Sequence, residues 1–503
     1  MHFTILLSWG GTQLLQGYWW IPGREEQELL GVLTLSDEGI SLEVSGPFLD
    51  ESNFGDLSQI DIVYGLTSRG QNVTNAESKV VGKFVILQNC LQTGQNLPFG
   101  NAEIYRQTPI FTYSALTAYV TQNTQYLQDT SLTFNEMRVG FSHLPEFSLT
   151  GNRLVRDQHT LNKDRGLDEI QVTYAIRSLP KATVDGVSFE FDQQVQFSGD
   201  RIRKYAIEPK IELKLRSEHP LSTSEWMSRF IAPLQHLLTL ATTHVNHLVS
   251  LRAFHDANVE TLEVFASGKQ IDSPLPFDVI TQDTIKWSET GFPAINFPLF
   301  DLGDIEDHYE KVLQRWYSLY DKHRPVQNLL FGVLFASDTY PEDRFLNLAR
   351  ALEIYHRAKY PGGQMPKADF RSLREKIVGQ VEEQHKVWLQ EKLTWANELT
   401  LQDRLVGLIN DCGKLQLPGE LNISSEALGR IIKNQRNRLT HYGNEKKKVS
   451  SSTLVWLSYL MEFILKALLL RELGFATTII KRDPQYDFRV QKIREMLEDS
   501  NLN

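Results

Sequence analysis

The residues best equipped for chemistry lie near the C-terminal end, in the run Arg436-Asn437-Arg438-Leu439-Thr440-His441. Arginine offers a rigid fork of donors matched to a phosphate, and asparagine adds a neutral donor and acceptor. Histidine holds charged and neutral forms together near neutral pH, as proton transfer requires. On an ideal helix Arg436 and His441 stand about 140° apart, so they flank a groove and do not stack on one face. Arg438 and the run Lys446-Lys447-Lys448 add positive charge nearby. With no metal-ligand cluster beside them, these groups suit attack of an RNA 2′-hydroxyl on its own phosphodiester. One group would move protons while another stabilises the anionic phosphorane. The bland reading is weighty: Arg and His five apart are common by chance, and a cationic helix is usually a solvated face.

The elements that must position these residues follow from pattern. Ser424 supplies a cap oxygen for a helix over 424–441, and Gly443 can take the left-handed conformation that ends it. His441 then falls in the last turn, where free carbonyls favour the imidazolium. Further helices are predicted at 306–320, 325–337, 341–360, 367–396, 401–412, 453–473 and 485–498. The first 220 residues read as β, beginning with a hairpin over Gly31–Val44 around Asp37 and Gly39. Residues 109–128 read as a helix. A helix capped at Ser222–Ser224 carries Pro233 inside its pattern and should kink there. The expected class is α+β: a β-rich, sandwich-like part over 1–305, with a further division near 220, followed by an all-α bundle over 306–503.

Three segments carry a resemblance. Arg436-Asn437-x-x-x-His441 resembles the R-(polar)-x-x-x-H signature of HEPN domains. Phe345-Leu346-Asn347-Leu348-Ala349-Arg350-Ala351-Leu352-Glu353-Ile354-Tyr355-His356-Arg357 resembles the F-L-x-L-x-x-A-L-E-x-Y-H-R helix of the ApeA-like HEPN group. Gly17-Tyr18-Trp19-Trp20-Ile21-Pro22-Gly23, followed by Gly31-Val32-Leu33-Thr34-Leu35, resembles the opening of the ApeA N-terminal domain. The resemblance implies an antiviral protein whose HEPN domain cuts RNA without metal and leaves a 2′,3′-cyclic phosphate, in a groove shared by two copies. It implies Arg436 as phosphate binder, Asn437 as the polar motif residue and His441 as general acid and base. Arg438 and Lys446, Lys447 and Lys448 would bind RNA, with Glu353, His356 and Arg357 behind or beside the groove. Glu353 and Arg357 are also an i, i+4 pair that would stabilise any surface helix. The expected partners are RNA, tRNA among the targets, a second copy of the chain and a phage-derived trigger, in the cytoplasm of a bacterium. No cofactor is expected. The alternative reading is a non-catalytic HEPN module that binds nucleotide or RNA and mediates assembly, with a ligand-sensing β part.

Charge sharpens the division. The chain has 503 residues and a formal charge of −10, which taken whole argues against coating nucleic acid. Residues 1–320 hold 24 Lys and Arg against 39 Asp and Glu, while residues 321–503 hold 28 against 23. The basic surplus thus falls on the part that carries Arg436 and His441. Two cysteines, Cys90 and Cys412, exclude a disulfide framework or a four-thiolate site. The apolar stretch 453–474 is interrupted by Glu462 and Lys466 at pairing distance, so it reads as a buried core helix, not a membrane span. Phe3–Trp9 lacks the flanks of a signal peptide. His236, His244 and His247 lack a joining Cys or acid and read as structural. Tyr18, Trp19 and Trp20 read as core.

Overall fold

A computed structural model describes residues 12–48, 59–67, 83–96, 109–122, 132–149, 155–162, 166–174, 178–200, 204–264, 269–287, 298–336, 338–440 and 450–499. The chain divides into two compact units. The first takes in Met1–Leu238, Asn246–Ile295 and Leu302–Glu310; the second takes in Thr239–Val245, Asn296–Asp301 and Lys311–Asn503.

The first unit begins as six antiparallel strands: β1 (Gln13–Trp20), β2 (Leu29–Ser36), β3 (Gly39–Val44), β4 (Gln59–Thr67), β5 (Lys83–Asn96) and β6 (Ile110–Thr121). Their order is β6-β3-β2-β1-β4-β5, and β5 pairs back onto β6, so the six close into a barrel. Closure follows from strict alternation. Leu33 and Leu35 of β2, Ile40, Leu42 and Val44 of β3, and Phe111 and Tyr113 of β6 all point into one core. Trp19 lies wholly inside this core and Trp20 is also buried, as expected, while Tyr18 is half exposed. Trp19 pairs with Gly65 across β1 and β4, and its indole occupies the space a Cβ on Gly65 would need.

The barrel then runs on into an open sheet. β3 covers Phe111–Ala115 of β6, and farther along the same edge a strand over Phe277–Ile280 takes Ala118–Val120. With β7 (Thr133–Phe141), β8 (Ala182–Val184), β9 (Val187–Asp200), β10 (Lys204–Ser222), β11 (Leu248–Phe254) and β12 (Phe277–Ile280), the order continues β6-β12-β11-β7-β10-β9-β8. The β-rich class is as expected from the sequence, and its form is a barrel continued by a sheet. Residues 110–121 are a strand where a helix was predicted. Ala115, Ala118 and Tyr119 mimic helical spacing, but Phe111, Tyr113 and Ala115 bury alternately and both edges of β6 find partners. The predicted cap at Ser222 is a full capping box with Glu225. A π-helical turn, Trp226–Ile231, precedes α1 (Ala232–Thr242). It sits just ahead of Pro233, where an α-helix would need a donor that proline lacks.

The second unit is helical. Its main elements are α2 (Tyr309–Lys322), α3 (Arg324–Phe335), α4 (Pro341–Lys359), α5 (Lys367–Gly379), α6 (Glu383–Leu393), α7 (Leu401–Asp411), α8 (Ser425–Thr440), α9 (Ser451–Leu473) and α10 (Tyr486–Asp499). The single helix predicted over 367–396 is broken after Gly379, a weak helix former, into α5 and α6. α9 is apolar on every side and packs against α4 and α10. It is long and apolar enough to cross a membrane, yet most of it is buried within the fold. Lys466 and Glu462 pair at 2.7 Å inside it, and Arg344 of α4 reaches the same carboxylate at 2.6 Å. Gly474 ends the helix at φ +103°, as predicted.

Candidate active site

α8 carries the Arg-Asn motif, and its placement is set from its first turn. Ser424 Oγ accepts from the Ala427 backbone N–H at 3.1 Å, which fixes the start of the helix. Leu428, Ile431 and Ile432 bury one face. Gly429 lets α8 close on α7: a Cβ there would lie 3.0 Å from Val406 Cγ2 and 3.3 Å from the Gln402 carbonyl. At the far end Thr440 Oγ1 donates back to the carbonyl of Arg436 at 3.0 Å and to that of Asn437 at 3.4 Å. The last turn is therefore tied down just where the motif lies.

Arg436 and Asn437 are half buried and adjacent, with Arg436 Nη1 donating to Asn437 Oδ1 at 3.4 Å. Among the described residues no carboxylate pairs with Arg436. Four other arginines of this unit are neutralised, Arg344 by Glu462, Arg357 by Glu353 and Glu398, Arg404 by Glu398 and Arg471 by Asp411, while Arg430 on the same helix has, like Arg436, no acid partner among the described residues. Arg438 is exposed at the same end. His441, Lys446, Lys447 and Lys448 lie outside the described residues.

Glu353, His356 and Arg357 are held together in a separate network on α4. Arg357 Nη2 meets Glu353 at 3.1 Å, and its Nη1 donates to Glu398 at 2.6 Å. Buried Arg404 of α7 donates from Nε to the Leu399 carbonyl at 3.1 Å and sets Nη1 3.3 Å from His356 Nδ1. Since guanidinium only donates, Nδ1 accepts and the imidazole proton belongs on Nε2. Burial first, and Arg404 second, hold the His356 pKa below its usual value. The imidazole is thus a neutral, buried post between α4 and α7. Gly407 makes room for it, since a Cβ there would come 3.3 Å from Nε2. Among the described residues no hydrogen bond or ion pair joins this network to Arg436 or Asn437.

Sequence reasoning missed Arg404, Glu398, Gly407 and Gly429. The glycines left a signal, because glycine inside a helix costs about 1 kcal/mol and implies a packing reason. Arg404 left none: its partner His356 is 48 residues away in the chain. α4 is also tied to α9, where Tyr355 donates to Glu472 at 3.0 Å and Lys359 pairs with the same carboxylate.

The other histidines have local work. His244 Nδ1 lies 2.9 Å from the Thr242 carbonyl, His247 stacks on Trp287 with centroids 3.7 Å apart, and burial lowers the His236 pKa to about 4. Among the described residues no three His, Cys, Asp or Glu side chains gather closely enough to hold a metal ion. Burial raises the thiol pKa of Cys90 and Cys412 to about 12.

Comparison with known proteins agrees with both ends of the chain. The family model for ApeA N-terminal domain 1 matches residues 15–316, and that for the Apea-like HEPN domain matches residues 346–479. Searches of curated proteins and of solved structures gave no match.

Proposed function

Because the chain belongs to the ApeA family, with a C-terminal HEPN domain, we propose that it is a defence endoribonuclease that cleaves RNA at the end of α8. The observation that carries this reading is Arg436: a half-buried guanidinium with no acid partner among the described residues, bonded to Asn437 on a helix end tied down by Thr440. Such a fork is free to take a phosphodiester.

In the proposed step the ribose 2′-oxygen attacks its own phosphorus and the 5′-oxygen leaves. The products are a 2′,3′-cyclic phosphate and a 5′-hydroxyl. Arg436 holds the charge that builds on the non-bridging oxygens, and Asn437, already bonded to it, sets its orientation. His441 follows Thr440, the last residue of α8. It takes the 2′-hydroxyl proton, while the imidazolium of a second copy protonates the leaving oxygen. No metal is needed for this step. Arg438 and Lys446–Lys448 draw in the backbone. An unpaired loop, such as an anticodon loop of tRNA, leaves the 2′-hydroxyl free to align. The β-rich unit senses a phage-derived trigger in the cytoplasm and restrains the helical unit until then.

The test is incubation of the full-length protein with total RNA in EDTA, with and without extract of infected cells. Wild type should yield fragments with 2′,3′-cyclic ends, and Arg436→Ala and His441→Ala should each cut at least about 100-fold more slowly with unchanged helicity. Cleavage by His441→Ala at the wild-type rate would remove the assigned site. Intact RNA in every wild-type sample would favour an assembly role.

A further inference from the structure

From Ala427 to Thr440, α8 carries four basic residues, Arg430, Lys433, Arg436 and Arg438, and no acidic one. Other helices of the unit mix their signs: α4 sets Glu342, Asp343 and Glu353 among its cations, and α5 sets Asp369 and Glu375. Three of the four cations on α8 are spaced by three. Residues three apart on a helix are side-chain neighbours, with Cβ atoms about 5–6 Å apart, and they line a ridge inclined about 45° to the axis. Arg430, Lys433 and Arg436 are therefore successive points of one ridge, which runs about 9 Å along α8 to the motif arginine.

This ridge follows the border of the packed face. Leu428, Ile431, Ile432 and Gln435 are buried, Arg430 is exposed, and Lys433, Asn434, Arg436 and Asn437 are half buried. Among the described residues no ion pair or side-chain hydrogen bond engages Arg430, Lys433 or Asn434. Glu426, four residues before Arg430, makes no ion pair with it either. Like charges on neighbouring positions of a helix repel, so the fold gains nothing from this row.

Charge and continuity select the occupant. A file of cations suits a polyanion with regularly spaced charge, and a polynucleotide backbone supplies one phosphate per nucleotide. Asn434 lies one turn from both Arg430 and Asn437, where its amide can bond a phosphate or sugar oxygen without adding charge. The file ends at Arg436 and Asn437, where the scissile phosphate is proposed to lie.

We propose that Arg430 and Lys433 are phosphate subsites for the nucleotides on one side of the scissile bond, so that a single-stranded RNA tracks along the α8 ridge into Arg436. The end point of this track rests on the ribonuclease reading. Contacts of this kind hold the strand in register and read no sequence. Recognition therefore extends over consecutive phosphates, one each at Arg430, Lys433 and Arg436.

The experiment measures binding by the full-length protein of a labelled single-stranded RNA of about ten nucleotides. Its 2′-hydroxyls are methylated, so binding is read without cleavage. Fluorescence anisotropy follows affinity from about 50 to 200 mM salt. On a single strand each phosphate contact adds about 0.7 to the steepness with which log affinity falls against log salt. Arg430→Gln and Lys433→Gln should each lower the slope by about that amount and weaken binding about 5-fold near 0.1 M salt. Lys433→Arg should keep both slope and affinity, and Arg374→Gln, which removes the same charge from α5, should leave the slope unchanged. Thermal midpoints of the two α8 glutamine variants should not fall, because each removes a like-charged neighbour. An unchanged slope in both of those variants, an equal loss in Arg374→Gln, a lowered midpoint, or a wild type without affinity for the oligomer would each overturn the proposal. The two readings fail separately. Slopes as expected, with RNA intact in every cleavage assay, would remove the ribonuclease reading alone; cleavage with unchanged slopes would remove the ridge alone.

Discussion

Replacing Glu462 should expose how the helical unit is held together. Its carboxylate is buried between Lys466 at 2.7 Å and Arg344 at 2.6 Å. Arg344 can swing toward water, but Lys466 is buried on an apolar helix and has nowhere to go. Glu462→Leu therefore leaves a desolvated ammonium, a change that costs about 3–5 kcal/mol. For a unit of this size each kcal/mol moves the midpoint by about 2–4 °C, so calorimetry should show its transition fall by roughly 6–20 °C. Glu462→Leu/Lys466→Met removes both charges and should recover most of that loss. The pH dependence has a definite sign. Burial pushes the Glu462 carboxyl up, but Lys466 and Arg344 outweigh it and hold the group below its usual range. The pair's contribution is complete above the unfolded carboxylate pKa, about 4.3, and is lost as pH falls through the lower folded value. The gap between wild type and Glu462→Leu should thus close in acid. A midpoint shift under about 2 °C, or a double variant as weak as the single, would refute the reasoning.

Other changes test other parts. Gly429→Val drives a side chain into Val406 and Gln402. It should cost about 1–3 kcal/mol in chemical denaturation, whereas Gly332→Ala, with open space around it, should be neutral or gain up to about 1 kcal/mol; equal effects would deny the close approach of α7 and α8. Folded His236 stays neutral down to about 4 because it is buried, while the unfolded chain takes the proton near 6.5. The thermal midpoint of the β-rich unit should therefore fall as pH drops across that window, less steeply in His236→Gln; parallel slopes would contradict this. Asn397→Ala removes both side-chain bonds to Met365 at the base of the α5–α6 hairpin and should speed limited proteolysis within residues 361–400; an unchanged digestion pattern would deny that they hold it.

What the sequence reveals is local, and what it hides depends on distant pairing. The β2–β3 hairpin, the cap at Ser424, the stop at Gly474 and the Glu462–Lys466 pair all lie within a few residues of their cause, and all are found as predicted. β6 was misread because its alanines and Tyr119 imitate a helix. Only β5 and β3, joined to it along both edges, make it a strand, and β3, which pairs Val44 with Phe111, lies far upstream in the chain. The same limit governs the candidate site. Motif spacing singles out Arg436 and Asn437, but most arginines in the helical unit look equally cationic in one dimension. Arg357 and Arg404 share Glu398, and Arg404 also meets His356, once α4 and α7 are side by side. Those pairings spend the charge of Arg357 and Arg404 on the fold. Arg436 carries the same charge on a helix end fixed by Ser424, Gly429 and Thr440, with no acid among the described residues to neutralise it. The motif singles out the guanidinium in one dimension, but which arginines meet a carboxylate is decided only by the packing of helices far apart in the chain.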